Sequence, residues 1–225
     1  MSLVLGDAFL FVRALTFSNA WYARARAAAG KIGDQAAIGA LTYNRAALHV
    51  AGARFQSLNG PLPATEIRLV LAEVQSAINY QAIARLRSLD HLLQSANVGA
   101  LILQERFMDA LPHIEDVLKS PDAPADSAQR ALLQADLALT LACTGQPAMA
   151  LQAIESLLGM NIGSFGADDR AVIWSTVHKA SQACGATGEL PRYASNVTVA
   201  VEQHNEMVAR LAALLTPFEQ ISAVL

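Results

Sequence analysis

Five histidines (His49, His91, His113, His178 and His204) and two cysteines (Cys143 and Cys184) are the side chains best suited to bind a metal or act as nucleophiles. Zinc sites draw ligands from close pairs such as C-x-x-C or H-E-x-x-H, because one turn or one helix face must aim both at the ion. Here the histidines stand singly and the cysteines are far apart, so the spacing predicts no metal site and no cofactor. Two unpaired thiols in an apolar chain read as small, reduced, buried hydrophobes of a reducing compartment; a redox pair would require the two to meet in space. Glu105, Asp109, Glu115 and Asp116 share one helix and read as its solvated face. The stretch Gly159 to Gly166 is glycine-rich but follows no strand, so it reads as a loop and not as a phosphate cradle. Spacing assigns no catalytic residue, and the chain is expected not to be an enzyme, although a triad assembled only in space escapes such a reading.

The elements that would position these residues follow from composition and punctuation. With 53% hydrophobic residues over 225 positions the chain can bury a sizeable core, and the 16% charged content leaves an apolar surface that something should cover. Sixteen Lys+Arg against 19 Asp+Glu give a formal charge of -3, which carries no footprint for nucleic acid or anionic lipid. The apolar start, Leu3 to Trp21, is interrupted by Asp7, Arg13 and Asn19 and has no basic stretch before it, so neither a signal peptide nor a membrane span is predicted, and a cytoplasmic location is expected. Hairpin dipeptides such as Asn-Gly between β-branched runs are absent. Breaks at Gly30–Gly33, Asn59–Pro63, Ser120–Pro124, Thr144–Pro147, Gly159–Gly166, Gly185–Pro191 and Thr216–Pro217 predict helices near 7–29, 35–58, 64–85, 89–103, 106–119, 126–143, 147–159, 168–184 and 191–215. No Gly or Pro interrupts 64–98, which leaves one long helix there as an alternative.

Internal repetition is the strongest pattern. Glu105–Leu111 stands to its helix as Gly145–Leu151 does forty residues later, and a weaker third copy is placed at Gly188–Tyr193. In the copy spanning 131–161, Gln134, Leu137, Ala138 and Leu141 fill the first helix, Gly145 the turn, and Ala150 and Ile154 the second helix. With these residues the chain resembles the tetratricopeptide repeat family, whose units are helical pairs of about 34 residues. The earlier copy offers Asn97, Val98, Leu101, Ala110 and Ile114, with Pro121 as its terminal proline; the later one offers Ala180, Ser181, Cys184, Gly188, Tyr193 and Val197. The longer spacing is assigned to the loops Pro121–Asp126 and Asn161–Ala167. The fold expected is all-α, an α-solenoid of stacked antiparallel helical pairs with atypical helices at both ends. Its divisions are 1–88 for diverged or non-repeat helices, 89–190 for the repeat-like pairs and 191–225 for a long capping or linker helix.

The resemblance also implies a binding surface. Placing the family's inward-facing positions on this chain selects Leu92, Ser95, Gly99 and Ile102, then Leu132, Ala135, Leu139 and Ala142, then Ser175, His178 and Gln182. No Lys or Arg occurs among them, so a cationic clamp for a peptide's terminal carboxylate is not expected. In the last helix Val197, Val201, His204, Val208, Leu211, Leu215 and Phe218 recur with a 4-3 spacing, which suits either a cap on the last pair or a dimer seam or linker. The function implied is a non-catalytic scaffold or regulatory module that binds a protein or peptide, as part of a larger bacterial-type cytoplasmic protein, with no nucleic-acid or membrane partner. A helical sensor holding a small apolar ligand is the alternative, and an enzyme of unrecognised type the third.

Overall fold

The computed structural model describes residues 1–120 and 127–222. The proline and loop assigned to 121–126, and the last three residues, lie outside the described residues. Among those described there are ten α-helices and no strand: α1 (Ser2–Phe11), α2 (Leu15–Lys31), α3 (Gln35–Gln56), α4 (Ala64–Ala84), α5 (Asp90–Leu103), α6 (Phe107–Lys119), α7 (Ala128–Cys143), α8 (Pro147–Leu158), α9 (Ala167–Ala183) and α10 (Leu190–Ser222), with short 3-10 turns at Ser57–Asn59 and Ile162–Ser164. Helix formation follows the apolar stripe. In α6, for example, Phe107, Ala110, Leu111, Ile114, Val117 and Leu118 fall on one face, with Ala110, Ile114 and Val117 buried. Asp34 and Ser127 accept from the amides of Ala37 and Arg130 and so cap α3 and α7, and Pro147 opens α8 where no intrahelical amide is needed.

One turn geometry recurs. Helices α1, α2, α4, α5, α7 and α9 each end on a left-handed residue, respectively Arg13, Gly33, Arg85, Glu105, Gly145 and Gly185. The next amide bonds the carbonyl five residues back, as in Arg106 to Leu101, Gln146 to Leu141 and Ala186 to Ser181. This is the Schellman closure, which satisfies the last carbonyls and reverses the chain. Glu105, Gly145 and Gly185 stand forty residues apart, so the turn that matches the other two is at Gly185, three residues before the Gly188 at which the third copy was placed. Arg13 splits the expected helix 7–29 in two, and Arg85 rules out a single helix over 64–98. The last helix continues through Pro217 to Ser222 instead of stopping at 215.

Packing follows chain order with one closure. Each odd-numbered helix packs on the even-numbered helix after it, and α1, α3, α5, α7 and α9 pack in succession on one another. Ala138 of α7 and Ala150 of α8 are both fully enclosed in the cluster that holds Leu139, Ile154, Leu157, Ile173, Val177 and Tyr193; small residues here let helices approach and larger ones fill the grooves. A second cluster joins α3, α4 and α5 through Val50, Val70, Val74 and Leu93. The run then turns back on itself: α3 touches α9, and α10 touches α1 and α2. Leu5, Phe9 and Trp21 close on Leu215, with Leu211 and Phe218 packed alongside. The loop expected at Gly159–Gly166 holds a 3-10 turn whose Ile162 is buried in the core.

Candidate functional site

A large cavity, about 940 Å³, opens where the C-terminal ends of α3, α5 and α7 converge beside α9. Its apolar lining comes from Leu58, Leu62 and Ile67 around the α3–α4 connection, Ile102, Leu103 and Phe107 around the α5–α6 turn, Leu139 of α7 and Val172 of α9. Polar groups surround these: Ser57, Arg68, Gln104, Glu105, Ser175, Thr176 and Lys179. Arg68, Glu105, Lys179 and Cys143 are exposed, so the cavity is a groove and not a closed chamber. The Gln104 Oε1 is enclosed without a hydrogen-bond partner.

Arg54 forms the inner end. Its guanidinium donates to both carboxylate oxygens of Asp136, at 2.9 and 2.5 Å, joining α3 to α7. Asp136 is 1% exposed. Burial pushes its carboxyl up, and the Arg54 guanidinium opposes that shift. Asp169, on the first turn of α9, is raised to about 6 by burial and by neighbouring Asp168, again opposed by Arg54. Desolvation of the two charges offsets most of their attraction, so such a buried pair adds little net stability, although removing one partner is costly.

The sequence-derived inner wall divides between residues that line the groove and residues that do not. Ile102, Leu139 and Ser175 line the groove. Leu92, Ser95, Leu132, Ala135, Ala142, His178 and Gln182 do not. Ala135 is fully enclosed, Leu132 and Ala142 pack against the core, and Ser95 accepts from Gln129 and donates to the carbonyl of His91. Gly99 explains the covering of this wall: a Cβ there would stand 2.6 Å from Val50 Cγ1, so its absence lets α3 lie directly on α5. The groove also carries three cations, Arg54, Arg68 and Lys179, all outside the positions selected from the sequence. Arg54 and Arg68 come from the segment treated as non-repeat, and Lys179 lies one residue beyond His178 on α9. A readable signal existed, since Arg54 and Asp136 are single charges inside apolar runs, the pattern of a buried pair.

Both cysteines depart from the burial expected of them: Cys143 is exposed, Cys184 is half-buried, and each thiol is free. Burial of the Sγ region, then Glu105 and Cys184, raises the Cys143 thiol above its ordinary value, which disfavours the nucleophilic thiolate. Among the described residues no three His, Cys, Asp or Glu side chains converge as a metal site, and no helix is long and apolar enough to cross a membrane.

The seam of α10 faces the chain itself. His204 is buried against Phe11 and Phe55, Val208 is half-buried beside them, and Leu211 and Leu215 join the α1–α2 cluster. Val197 and Val201 are half-buried farther up α10, which packs on α9. Comparison with family models, with curated proteins and with solved structures gives no significant match.

Proposed function

We propose that this chain is a non-catalytic interaction module, built of tetratricopeptide-like helical pairs, whose groove receives an extended segment of a protein partner. The observation that carries this reading is the groove itself: an open, apolar-floored channel at the convergence of three helix ends, with donors and acceptors along its rim. Leu139, Ile102 and Phe107 supply the surface for a partner's apolar side chains. Gln104, Ser175 and Thr176 offer hydrogen bonds to its backbone, and Arg68 and Lys179 favour carboxylates along it. The recurrence of the same turn every forty residues and the succession of odd-numbered helices support the repeat architecture. The role that fits such a surface is scaffolding or regulation, exercised by holding a partner in place.

The test is selection of short random peptides displayed on phage against the immobilised chain. Enriched peptides should lose about tenfold or more in affinity, roughly 1.4 kcal/mol, for Ser175→Trp, which fills the groove, and for Lys179→Glu, which reverses a rim charge. Lys179 is exposed, so its variant should keep the parent's melting temperature. Peptides that bind both variants as they bind the parent would contradict the assignment.

A further inference from the structure

A second cavity, sharing no lining residue with the groove, lies where α1, α3 and α10 meet and encloses about 200 Å³. Leu10 and Phe11 of α1, Leu48 and Phe55 of α3, and His204 and Val208 of α10 form its walls. His204 is 9% exposed. It packs on Phe55 with ring centroids 4.0 Å apart and the planes tilted by 40°, and meets Phe11 edge-on at 5.4 Å. Its Nδ1 is enclosed and has no hydrogen-bond partner, a condition that native interiors seldom keep. Burial holds the ring's pKa below the ordinary histidine value, against the opposing pull of Asp168, so the imidazole is neutral at neutral pH.

Charges at the cavity's edge are already answered. Arg13 donates to Glu66 at 2.9 Å, and Asp168 sits in the first turn of α9, where the helix N-terminus favours an anion. The space therefore calls for no charged ligand. It exceeds the roughly 150 Å³ known to hold a benzene ring.

We propose that this cavity binds a small uncharged hydroxyaromatic compound whose ring packs on Phe11 and Phe55 and whose hydroxyl bonds the imidazole of His204. A hydroxyl both donates and accepts, so it matches the imidazole whichever nitrogen carries the proton. Such a ligand touches α1, α3 and α10 together and ties the first helix to the last. Occupancy would then reinforce the contact by which the chain closes on itself.

The test is calorimetric titration with 4-methylphenol and with toluene, which has the same ring and methyl group but no hydroxyl. The parent should bind 4-methylphenol about tenfold more tightly than toluene, as one retained hydrogen bond predicts. His204→Phe should erase that difference. Ala51→Phe, at an exposed position on the cavity wall, keeps the imidazole but fills the space and should weaken both ligands about tenfold, which decides the matter if His204→Phe does not fold. Equal affinity of the two ligands for the parent, no binding of 4-methylphenol up to about 10 mM, or unchanged binding to Ala51→Phe would overturn the proposal.

Discussion

Asp169 and His204 pull stability in opposite directions as pH changes. Burial raises Asp169 from 3.8 to about 6, so between those values the folded chain keeps a proton that the unfolded chain has released, and stability is lost as pH rises through about 6. His204 is lowered from 6.5, so the unfolded chain takes up its proton first and stability is lost as pH falls below about 6.5. In denaturant melts Asp169→Asn should therefore gain on the parent at about pH 8 relative to about pH 5, by at most about 1 kcal/mol after allowance for solvent screening. His204→Phe should show the reverse, gaining on the parent at the lower pH. Gaps that stay constant with pH would show that neither group differs between folded and unfolded chains. At this scale the sequence was only partly readable. His204 was visible as a member of an apolar seam, but the rings of Phe11 and Phe55 that bury it come from distant helices. Asp169 fell at the start of the helix expected near 168–184, but local sequence does not report how deeply a helix start is covered.

At the scale of the element, the six Schellman turns divide by residue type. Gly33, Gly145 and Gly185 take the left-handed conformation at little cost, whereas Arg13, Arg85 and Glu105 pay steric strain to adopt it. Glu105→Gly, at φ 58°, should stabilise the fold by about 1 kcal/mol, and Gly145→Ala, at φ 79°, should destabilise it by a similar amount. Chemical denaturation of both variants checks this, and a loss of stability in Glu105→Gly would contradict the turn assignment. Glycine made the turns at Gly33, Gly145 and Gly185 legible as breaks, and the matching position of Glu105 emerged only through the forty-residue alignment. Arg13 lay hidden because neither Gly nor Pro marks it, so two helices read as one. Pro217 misled in the other direction, since α10 runs through it at an exposed position.

For the whole molecule, the all-helical class and the order of the pairs in the second half were legible because apolar periodicity and turns are local signals. The closure was not. That α3 crosses onto α5 and α9, and that α10 meets α1, depends on contacts between residues far apart in sequence, such as Arg54 with Asp136 and Leu215 with Phe9. Removing one partner of the Arg54–Asp136 pair leaves a buried charge alone, at a cost of about 3–5 kcal/mol, so the sealed part of the inner wall is a structural junction. What stays open is the end near Leu139, Ser175 and Lys179, and there the exposed thiol of Cys143 is a built-in reporter. The direct measurement is the rate of maleimide labelling of Cys143, in a Cys184→Ser background, with and without a saturating selected peptide. A groove that receives the peptide predicts slower labelling at Cys143, with no change at a cysteine introduced in place of exposed Ala148 outside the groove. Equal labelling of Cys143 in the free and peptide-saturated chain would contradict the groove as the binding surface.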